Sequence, residues 1–238
     1  MLFNSLNFLL FFPIVLVLYF LSPFKFRWFI LLAASCVFYM FFVPVYIFIL
    51  AFTIIIDYFA GILIENAIDK RKKVYLIMSL VTNIGILAVF KYYNFFIGNI
   101  NGIIALSGGN SQLAFLKILL PIGLSFHTFQ AMSYTIEVYR GNQKAERHFG
   151  IYSLYVMFFP QLVAGPIERP QNMLHQFHIK HKFDWDLATS GLKLMFWGFF
   201  KKMVVADRLT SFVDPVFASP DNYKGLPILI AIALLEIR

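Results

Sequence analysis

The hydrophobic positions of this chain fall in long runs that short polar stretches separate. The first five runs are Leu6–Leu21, Trp28–Val43, Tyr46–Ile64, Val74–Ile97 and Phe115–Ile136. Each run is close to the ~20 apolar residues that a helix needs to cross a bilayer. The pattern therefore predicts five helical crossings, with Pro44 in a tight turn between the second and the third.

Basic residues occupy alternate loops between these runs. Lys25 and Arg27 follow the first run, Lys70–Lys73 follow the third, and Arg140–Arg147 follow the fifth. The loops after the second and fourth runs carry no charge. Because Lys and Arg are enriched in cytoplasmic loops, the charges predict that the basic loops face the cytoplasm and that Asn99–Gln112 lies outside.

The apolar pattern changes after the fifth run. Ile151–Val163 is too short to span and contains Pro160, so we expect a re-entrant or interfacial segment whose two ends share the cytoplasmic side. Residues 168–186 are expected at the inner surface. Leu187–Val205 allows either a sixth crossing or an interfacial or tilted helix, and its lysines favour the second.

The last stretch predicts a polar loop at Phe212–Gly225 and an apolar run from Leu226 to Leu235. Such a run is too short to span, so it indicates either a helical stub or a truncated sequence. We expect residues 1–238 to form a single all-α transmembrane domain. It would be a polytopic integral membrane protein with about five to seven spanning helices plus re-entrant or interfacial helices. Residues 1–112 would be its N-terminal helices, and residues 113–217 would hold the re-entrant segment.

Composition excludes a soluble domain. The chain is 60% hydrophobic and 13% charged, with 30 Phe, whereas soluble domains are typically about 45–50% apolar and about 25% charged. The net charge of +8 lies mainly in the loops, so membrane lipids rather than nucleic acid are the expected partners. The single Cys36 allows no intramolecular disulfide.

Polar and helix-breaking residues interrupt two of the apolar stretches. They are Pro121, Gly123, Ser125, His127, Thr128, Gln130 and Ser133 in one, and Pro160, Gln161, Gly165 and Pro166 in the other. Irregular backbone at membrane depth is tolerated only where protein buries it or water reaches it. These interruptions therefore predict a cavity.

The same two stretches carry a family resemblance. PIGLSFHTFQ at 121–130, followed by FFPQLVAGPIER at 158–169, resembles the membrane-bound O-acyltransferase (MBOAT) family and its alginate O-acetylation branch most closely. GLKLMFWGFFKKMVVADRL, from Gly191 to Leu209, is similar to the same branch. The motifs span residues 119–217, and the N-terminal third matches only in hydropathy.

The resemblance implies an O-acyltransferase, or its N-terminal half, in the inner (plasma) membrane. It would transfer an acyl group, such as acetyl, to hydroxyls of an exported or cell-surface polysaccharide or cell-wall acceptor. Acetyl-CoA would be a donor substrate, no cofactor would be bound, and an extracytoplasmic protein would be a partner. The family's catalytic histidine would lie beyond Arg238, so this chain alone is expected to be inactive.

Two other functions compete with acyl transfer. A transporter or flippase could form a pathway from the Asp57 helix and the broken helices, but the two halves of the chain show no related pair of broken helices. A non-catalytic membrane scaffold is the second of these alternatives.

The resemblance supplies the candidate substrate-binding residues, which are Gln130, Gln161, Arg169 and His127. Glutamine can both donate and accept hydrogen bonds, and arginine binds phosphate or carboxylate. His127 stands where the family commonly has an aromatic residue, so a hydrogen-bonded packing role is favoured over a general base. We assign no catalytic residue within this chain.

Asp57 is the deepest acidic residue. It shares one helix face with Gly61 and Glu65, because the three are spaced i, i+4, i+8. Intramembrane acids often mark functional pathways, but a hydrogen bond from Asn83 on the next run would make Asp57 structural, which we favour.

Three histidines, His175, His178 and His181, repeat every third residue. Three imidazoles can bind zinc. Lys180 and Lys182 are interleaved, and their charges disfavour a metal ion, so we expect no metal site and a surface that faces anionic lipid.

Overall fold

The computed structural model describes residues 1–107, 113–115, 123–162 and 165–237. The α-helices in these ranges are α1 Leu6–Leu21, α2 Phe24–Met40, α3 Ile47–Asn66, α4 Lys70–Leu106, α5 Leu124–Arg140, α6 Phe149–Met157, α7 Phe159–Leu162, α8 Pro170–Phe177, α9 Trp185–Phe200, α10 Asp207–Ala218 and α11 Leu226–Ile237. No β-strand occurs within the described ranges. The predicted all-α class is confirmed.

Helix α4 is longer than the sequence predicts, because it continues to Leu106 rather than ending near Ile97. The prediction of a loop from Asn99 is therefore wrong for residues 99–106. Within the continuing helix, the Asn99 side-chain amide donates to the Phe95 carbonyl one turn earlier, at 2.8 Å. Residues 108–112 of that predicted loop, and residues 116–122 with Pro121, lie outside the described residues.

Two helical stretches are long and apolar enough to cross a membrane. They are Pro44–Asn66, which includes a short 3₁₀ turn before α3, and Lys70–Leu106. Helices α1 and α11 are apolar but shorter. These stretches support a membrane location, and the number of crossings stays a prediction.

The chain divides into two compact units. The first comprises Met1 and Phe12–Lys180, and the second comprises Leu2–Phe11 and His181–Arg238. In the first unit, α3, α4 and α5 pack against one another, α2 packs against α6 and α7, and α8 packs against α5 and α6. The expected arrangement of N-terminal helices (1–112) and a motif region (113–217) in one domain stays a prediction.

The second unit contains a longer helical stretch than the sequence predicts. After α9 the backbone passes through a π-helical turn, Lys201–Ala206, directly into α10. The predicted polar loop at Phe212–Gly225 is therefore wrong as far as Ala218. Helix forms there because Val213 and Val216 are buried, at 1% and 8% exposure, on a helix that packs against α11.

The short apolar run around Pro160 forms a buried, broken helix. Helix α6 is buried from Gly150 to Met157, and the backbone leaves helical geometry at Phe158 before α7 begins. The Phe159 N–H donates to the Ser35 hydroxyl of α2 at 3.1 Å. A protein side chain thus satisfies the backbone at the break, as irregular backbone in a membrane requires. Val163 lies outside the described residues, so the side on which each end lies stays a prediction.

Candidate functional site

Helix α5 carries two of the predicted substrate-binding residues. It begins directly after Gly123, whose φ of 80° is in the left-handed region that glycine enters most readily. His127 and Gln130 follow within the first two turns, and both are buried, at 1% and 7% exposure. Their spacing of three places them on neighbouring positions of one helix face.

A small cavity lies where α5 meets the broken helix. Its lining residues are Phe126, His127, Gln130, Tyr155, Val156, Gln161, Leu162, Gly165, Pro166 and Ile167. Its volume is about 10 Å³, which is about the space that one ordered water needs. The predicted cavity is therefore present, and it brings together three of the four candidate residues: His127, Gln130 and Gln161.

Hydrogen bonds fix two of these side chains. The His127 Nε2 atom lies 2.7 Å from the Thr53 hydroxyl oxygen of α3. The Gln130 amide oxygen accepts from the Glu168 N–H at 3.1 Å, and the Tyr155 hydroxyl donates to the Glu168 carbonyl at 2.9 Å. These hydrogen bonds connect the residues that line the cavity to Thr53 of α3 and to Glu168, which precedes α8.

Three polar atoms of the cavity residues have no hydrogen-bond partner among the described residues. The His127 Nδ1, Gln130 Nε2 and Gln161 Oε1 atoms are buried, and none of them makes a hydrogen bond to the part of the chain that the structure describes. Because buried polar atoms are nearly always hydrogen-bonded, this concentration around one cavity indicates a site that accepts a polar ligand.

Gly165 closes the turn that follows α7. Its N–H donates to the Gln161 carbonyl at 2.9 Å, and a Cβ atom at this position would lie 2.5 Å from the Gln161 Cα. Since backbone rather than a movable side chain would be struck, only glycine fits without a shift of the turn. This contact explains why the sequence places glycine before Pro166.

Arg169 does not line the cavity that the other three candidate residues share. It is exposed and precedes the first residue of α8, Pro170, as its N-cap residue. It is not among the described residues that line the cavity. The role of each of the four candidate residues, Arg169 among them, stays a prediction.

Asp57 lies in a separate buried polar cluster that joins α3, α4 and α5. Its carboxylate accepts from the Asn83 amide at 2.8 and 2.9 Å and from the Ser79 hydroxyl at 2.6 Å. The Ser79 oxygen is also 3.2 Å from the Thr135 hydroxyl of α5. The predicted hydrogen bond between Asp57 and Asn83 is confirmed, and this supports the structural interpretation of Asp57.

The face of α3 that carries Asp57 makes two more contacts. Gly61 lies against the Tyr134 ring of α5, whose nearest atom would be 2.6 Å from an added Cβ. Glu65 forms an ion pair with Arg147 and accepts from the Ala145 N–H at 3.2 Å. The shared face that the i, i+4, i+8 spacing predicts is thus the contact face of α3.

The hydrogen-bonding roles of Thr53 and Glu137 were not predicted from the sequence. Thr53 lies one turn before Asp57 on the contact face of α3, and this spacing was the available signal. Glu137, at the end of α5 next to the basic loop, accepts from the Asn142 amide at 2.9 Å, from the Gln171 amide, and from Arg140 at 3.2 Å. These hydrogen bonds, that from Asn142 first, hold the pKa of Glu137 below its ordinary value.

The histidines near α8 make separate contacts. The His175 Nδ1 atom is 2.9 Å from the Gln171 carbonyl oxygen of its own helix. The His178 Nε2 atom is 2.8 Å from a Glu146 carboxylate oxygen. No group of three or more His, Cys, Asp or Glu side chains that could hold a metal ion occurs among the described residues.

Comparison with known proteins finds clear similarity to O-acetylating enzymes. The chain is 37% identical over 229 residues to the probable alginate O-acetylase of Azotobacter vinelandii, an alignment that covers 94% of this chain and 45% of that protein. It is 36% identical over 229 residues to the probable alginate O-acetylase of Pseudomonas aeruginosa, with 94% and 44% covered. The peptidoglycan O-acetyltransferase of Helicobacter pylori is 33% identical over 211 residues, with 77% and 39% covered.

These matches confirm the resemblance to the alginate O-acetylation branch of the membrane-bound O-acyltransferases along nearly the whole chain, including its N-terminal third. The chain matches no protein-family model. It spans less than half the length of the curated relatives it matches.

Proposed function

We propose that this chain is part of a membrane-bound O-acyltransferase that moves an acyl group, in particular acetyl, onto hydroxyls of an exported or cell-surface polysaccharide. The observation that carries this proposal is the similarity to alginate O-acetylases over 94% of the chain. The buried polar cavity adds support, because eight of the ten described residues that line it belong to the motifs of the resemblance.

The reaction needs a base, an acceptor hydroxyl and an acyl donor. A base takes the proton of the acceptor hydroxyl, the hydroxyl oxygen attacks the acyl carbonyl, and the bond between the acyl carbon and the donor breaks. With acetyl-CoA as donor, the leaving group is a thiol. We expect the base to be a histidine in the part of the enzyme that the relatives have and this chain does not span.

This chain would contribute binding groups. Gln130 and Gln161 offer amide groups at the cavity, and His127 offers an imidazole nitrogen. Arg169 is exposed at the start of α8, where its guanidinium could hold a phosphate of a donor that arrives from the cytosol. An extracytoplasmic partner protein would receive or present the polysaccharide.

A chimeric enzyme provides the test. The matching 229-residue part of the Pseudomonas aeruginosa relative is replaced by this chain in cells that lack the native protein, and acetyl incorporation into exported polysaccharide is measured. We expect the chimera to restore acetylation and this chain alone not to restore it. A chimera that reaches the membrane in normal amounts but leaves the polysaccharide unacetylated would contradict the proposal. The named relatives transfer acetyl groups, so a transporter is not favoured.

We further propose a multi-pass arrangement in the inner membrane. Residues Lys70–Lys73, at the start of α4, would lie in the cytoplasm and the end of α4 would lie outside. The alternation of basic and uncharged loops supports it. In a Cys36→Ala background, an impermeant thiol reagent added to intact cells should label Ser107→Cys and spare Lys72→Cys. The reverse pattern would contradict this topology without touching the proposed activity.

A further inference from the structure

The cavity beside His127 has room for one small molecule, and three polar atoms of its lining residues have no partner in the described part of the chain. We propose that His127, Gln130 and Gln161 together bind a single buried water molecule. The proposal concerns the site itself and does not depend on the proposed enzymatic activity.

The hydrogen-bonding capacities of the three residues match a water molecule. A water donates two hydrogen bonds and accepts two, and buried waters typically make about three. Gln161 Oε1 can only accept, and Gln130 Nε2 can only donate. With His127 Nδ1 as a second acceptor, the site offers two acceptors and one donor, which a water satisfies by donating twice and accepting once.

The orientation of Gln130 follows from its neighbour. The Glu168 backbone N–H is a donor, so the atom of the Gln130 amide that it contacts at 3.1 Å must be the oxygen. The amide nitrogen is therefore the atom left for the cavity. The Tyr155 hydroxyl donates to the Glu168 carbonyl at 2.9 Å, and this second hydrogen bond fixes the position of the Glu168 backbone.

The tautomer of His127 follows from Thr53. The Thr53 hydroxyl lies 2.9 Å from the Leu50 carbonyl and 3.3 Å from the Ile49 carbonyl, one turn earlier on α3. In the proposed arrangement it donates its only proton to one of these carbonyls. It can then only accept from His127 Nε2–H at 2.7 Å. A neutral imidazole that donates from Nε2 has a lone pair at Nδ1. Burial at 1% exposure favours the neutral ring.

The Val156 carbonyl is the competing partner for this ring. Its backbone is close enough to the ring to hydrogen-bond it, and Val156 also lines the cavity, but the His127 Nδ1 atom has no partner with full hydrogen-bond geometry in the described part of the chain. If Nδ1 carried the proton instead, Thr53 would have to donate to Nε2 and give up the Leu50 carbonyl. The two arrangements differ in which ring nitrogen carries hydrogen, and this is measurable.

The experiment uses the protein in lipid nanodiscs with ¹⁵N-labelled histidine. The chain has five histidines, and the signal that disappears in His127→Phe identifies the ring. We expect Nε2 protonated, Nδ1 unprotonated and hydrogen-bonded, and magnetisation transfer from water to this ring. A protonated Nδ1, or no transfer from water in the unmodified protein, would overturn the proposal.

Two matched substitutions sharpen the result. Gln161→Leu keeps the side-chain size and removes one acceptor, so water transfer to His127 should fall by more than half. Gln176→Leu makes the same change on the exposed surface of α8 and should leave the transfer unchanged. Equal transfer in the two variants would also overturn the proposal. If Gln161→Leu fails to fold, the measurement on the unmodified protein still decides.

Discussion

The first unit contains two buried polar clusters on the same face of α3, and they are hydrogen-bonded to different extents. In the Asp57 cluster, both carboxylate oxygens accept hydrogen bonds from Asn83 and Ser79 of α4. In the cavity cluster, one turn away at Thr53, the His127, Gln130 and Gln161 side chains each keep an atom that has no partner among the described residues.

This difference separates a structural contact from a binding site. In the Asp57 cluster the carboxylate is hydrogen-bonded at both oxygens and fixes the packing of α3 against α4, although the buried Asn83 Oδ1 atom has no hydrogen-bond partner among the described residues. A cluster with unmatched atoms beside a cavity carries a free-energy cost, which a bound polar molecule removes. We therefore expect substitutions in the Asp57 cluster to change stability, and those in the cavity cluster to change binding and activity.

The largest effect is expected from Gly165→Leu, which would break the cavity cluster by moving its wall. The new Cβ would meet the Gln161 backbone at 2.5 Å, so the turn must shift, at a cost of about 3 kcal/mol. Denaturation in detergent should show the loss of stability, and the chimeric enzyme should lose acetylation.

Gly191→Leu is the matched control for this change. A Cβ atom on Gly191 has no described atom within 4 Å, so this variant should keep its stability. Similar melting temperatures for Gly165→Leu and Gly191→Leu would refute the assignment of the turn to Gly165.

The next effect tests the Asp57 cluster. Asp57→Leu leaves the Asn83 amide and the Ser79 hydroxyl buried without their acceptor, and should lower the free energy of unfolding by about 1–3 kcal/mol. Asp57→Asn keeps an acceptor and should cost about 0.6 kcal/mol, the average for a hydrogen bond between membrane helices. If both variants were equally unstable, the charge of Asp57 rather than its hydrogen bonds would hold the cluster together.

The third prediction concerns activity in the cavity cluster and at Arg169. Gln161→Ala and Arg169→Ala in the chimera should each lower acetyl transfer about tenfold, equivalent to about 1.4 kcal/mol of transition-state stabilisation. His127→Phe should lower it less, because the family commonly has an aromatic residue there. Complete loss of acetylation with His127→Phe alone would place the chemistry in this chain rather than in the part of the relatives that it does not span.

The smallest effect concerns pH. Hydrogen bonds from Asn142 and Gln171 lower the pKa of Glu137 in the folded protein, so the stability they add is present above the ordinary glutamate value of 4.5. It is lost as the pH falls from that value through the lower, folded pKa. Melting temperatures should therefore decline more steeply over this range in the unmodified protein than in Glu137→Gln, and equal slopes would contradict the assignment.

The positions of the helices were predicted from the sequence more accurately than their ends were. Apolar runs predicted α1 at Leu6–Leu21 and placed α3 within a few residues, because hydropathy reports directly on burial in lipid. The end of α4 was predicted too early, since the helix includes polar residues such as Asn99, whose side-chain amide donates to the Phe95 carbonyl. A local hydrogen bond of this kind leaves no mark in the hydropathy pattern.

The candidate site was predicted in part for a similar reason. The motifs placed Gln130 and Gln161 together at one cavity, and helical spacing placed Asp57 on the contact face of α3. Sequence gave no signal for the separation of Arg169 from the cavity or for the Thr53 contact to His127, because both depend on how distant segments pack. Spacing along one helix specifies a face, but only the tertiary structure specifies which residue lies opposite.

The contact between Ser35 and Phe159 has a consequence for how the protein is assembled. These residues are 124 positions apart. The Ser35 hydroxyl accepts a hydrogen bond from the Phe159 backbone N–H at the break between α6 and α7. A ribosome delivers α2 long before the broken helix emerges, so the acceptor is already present when the break forms. The kink around Phe158 can therefore form against a helix that was synthesised earlier.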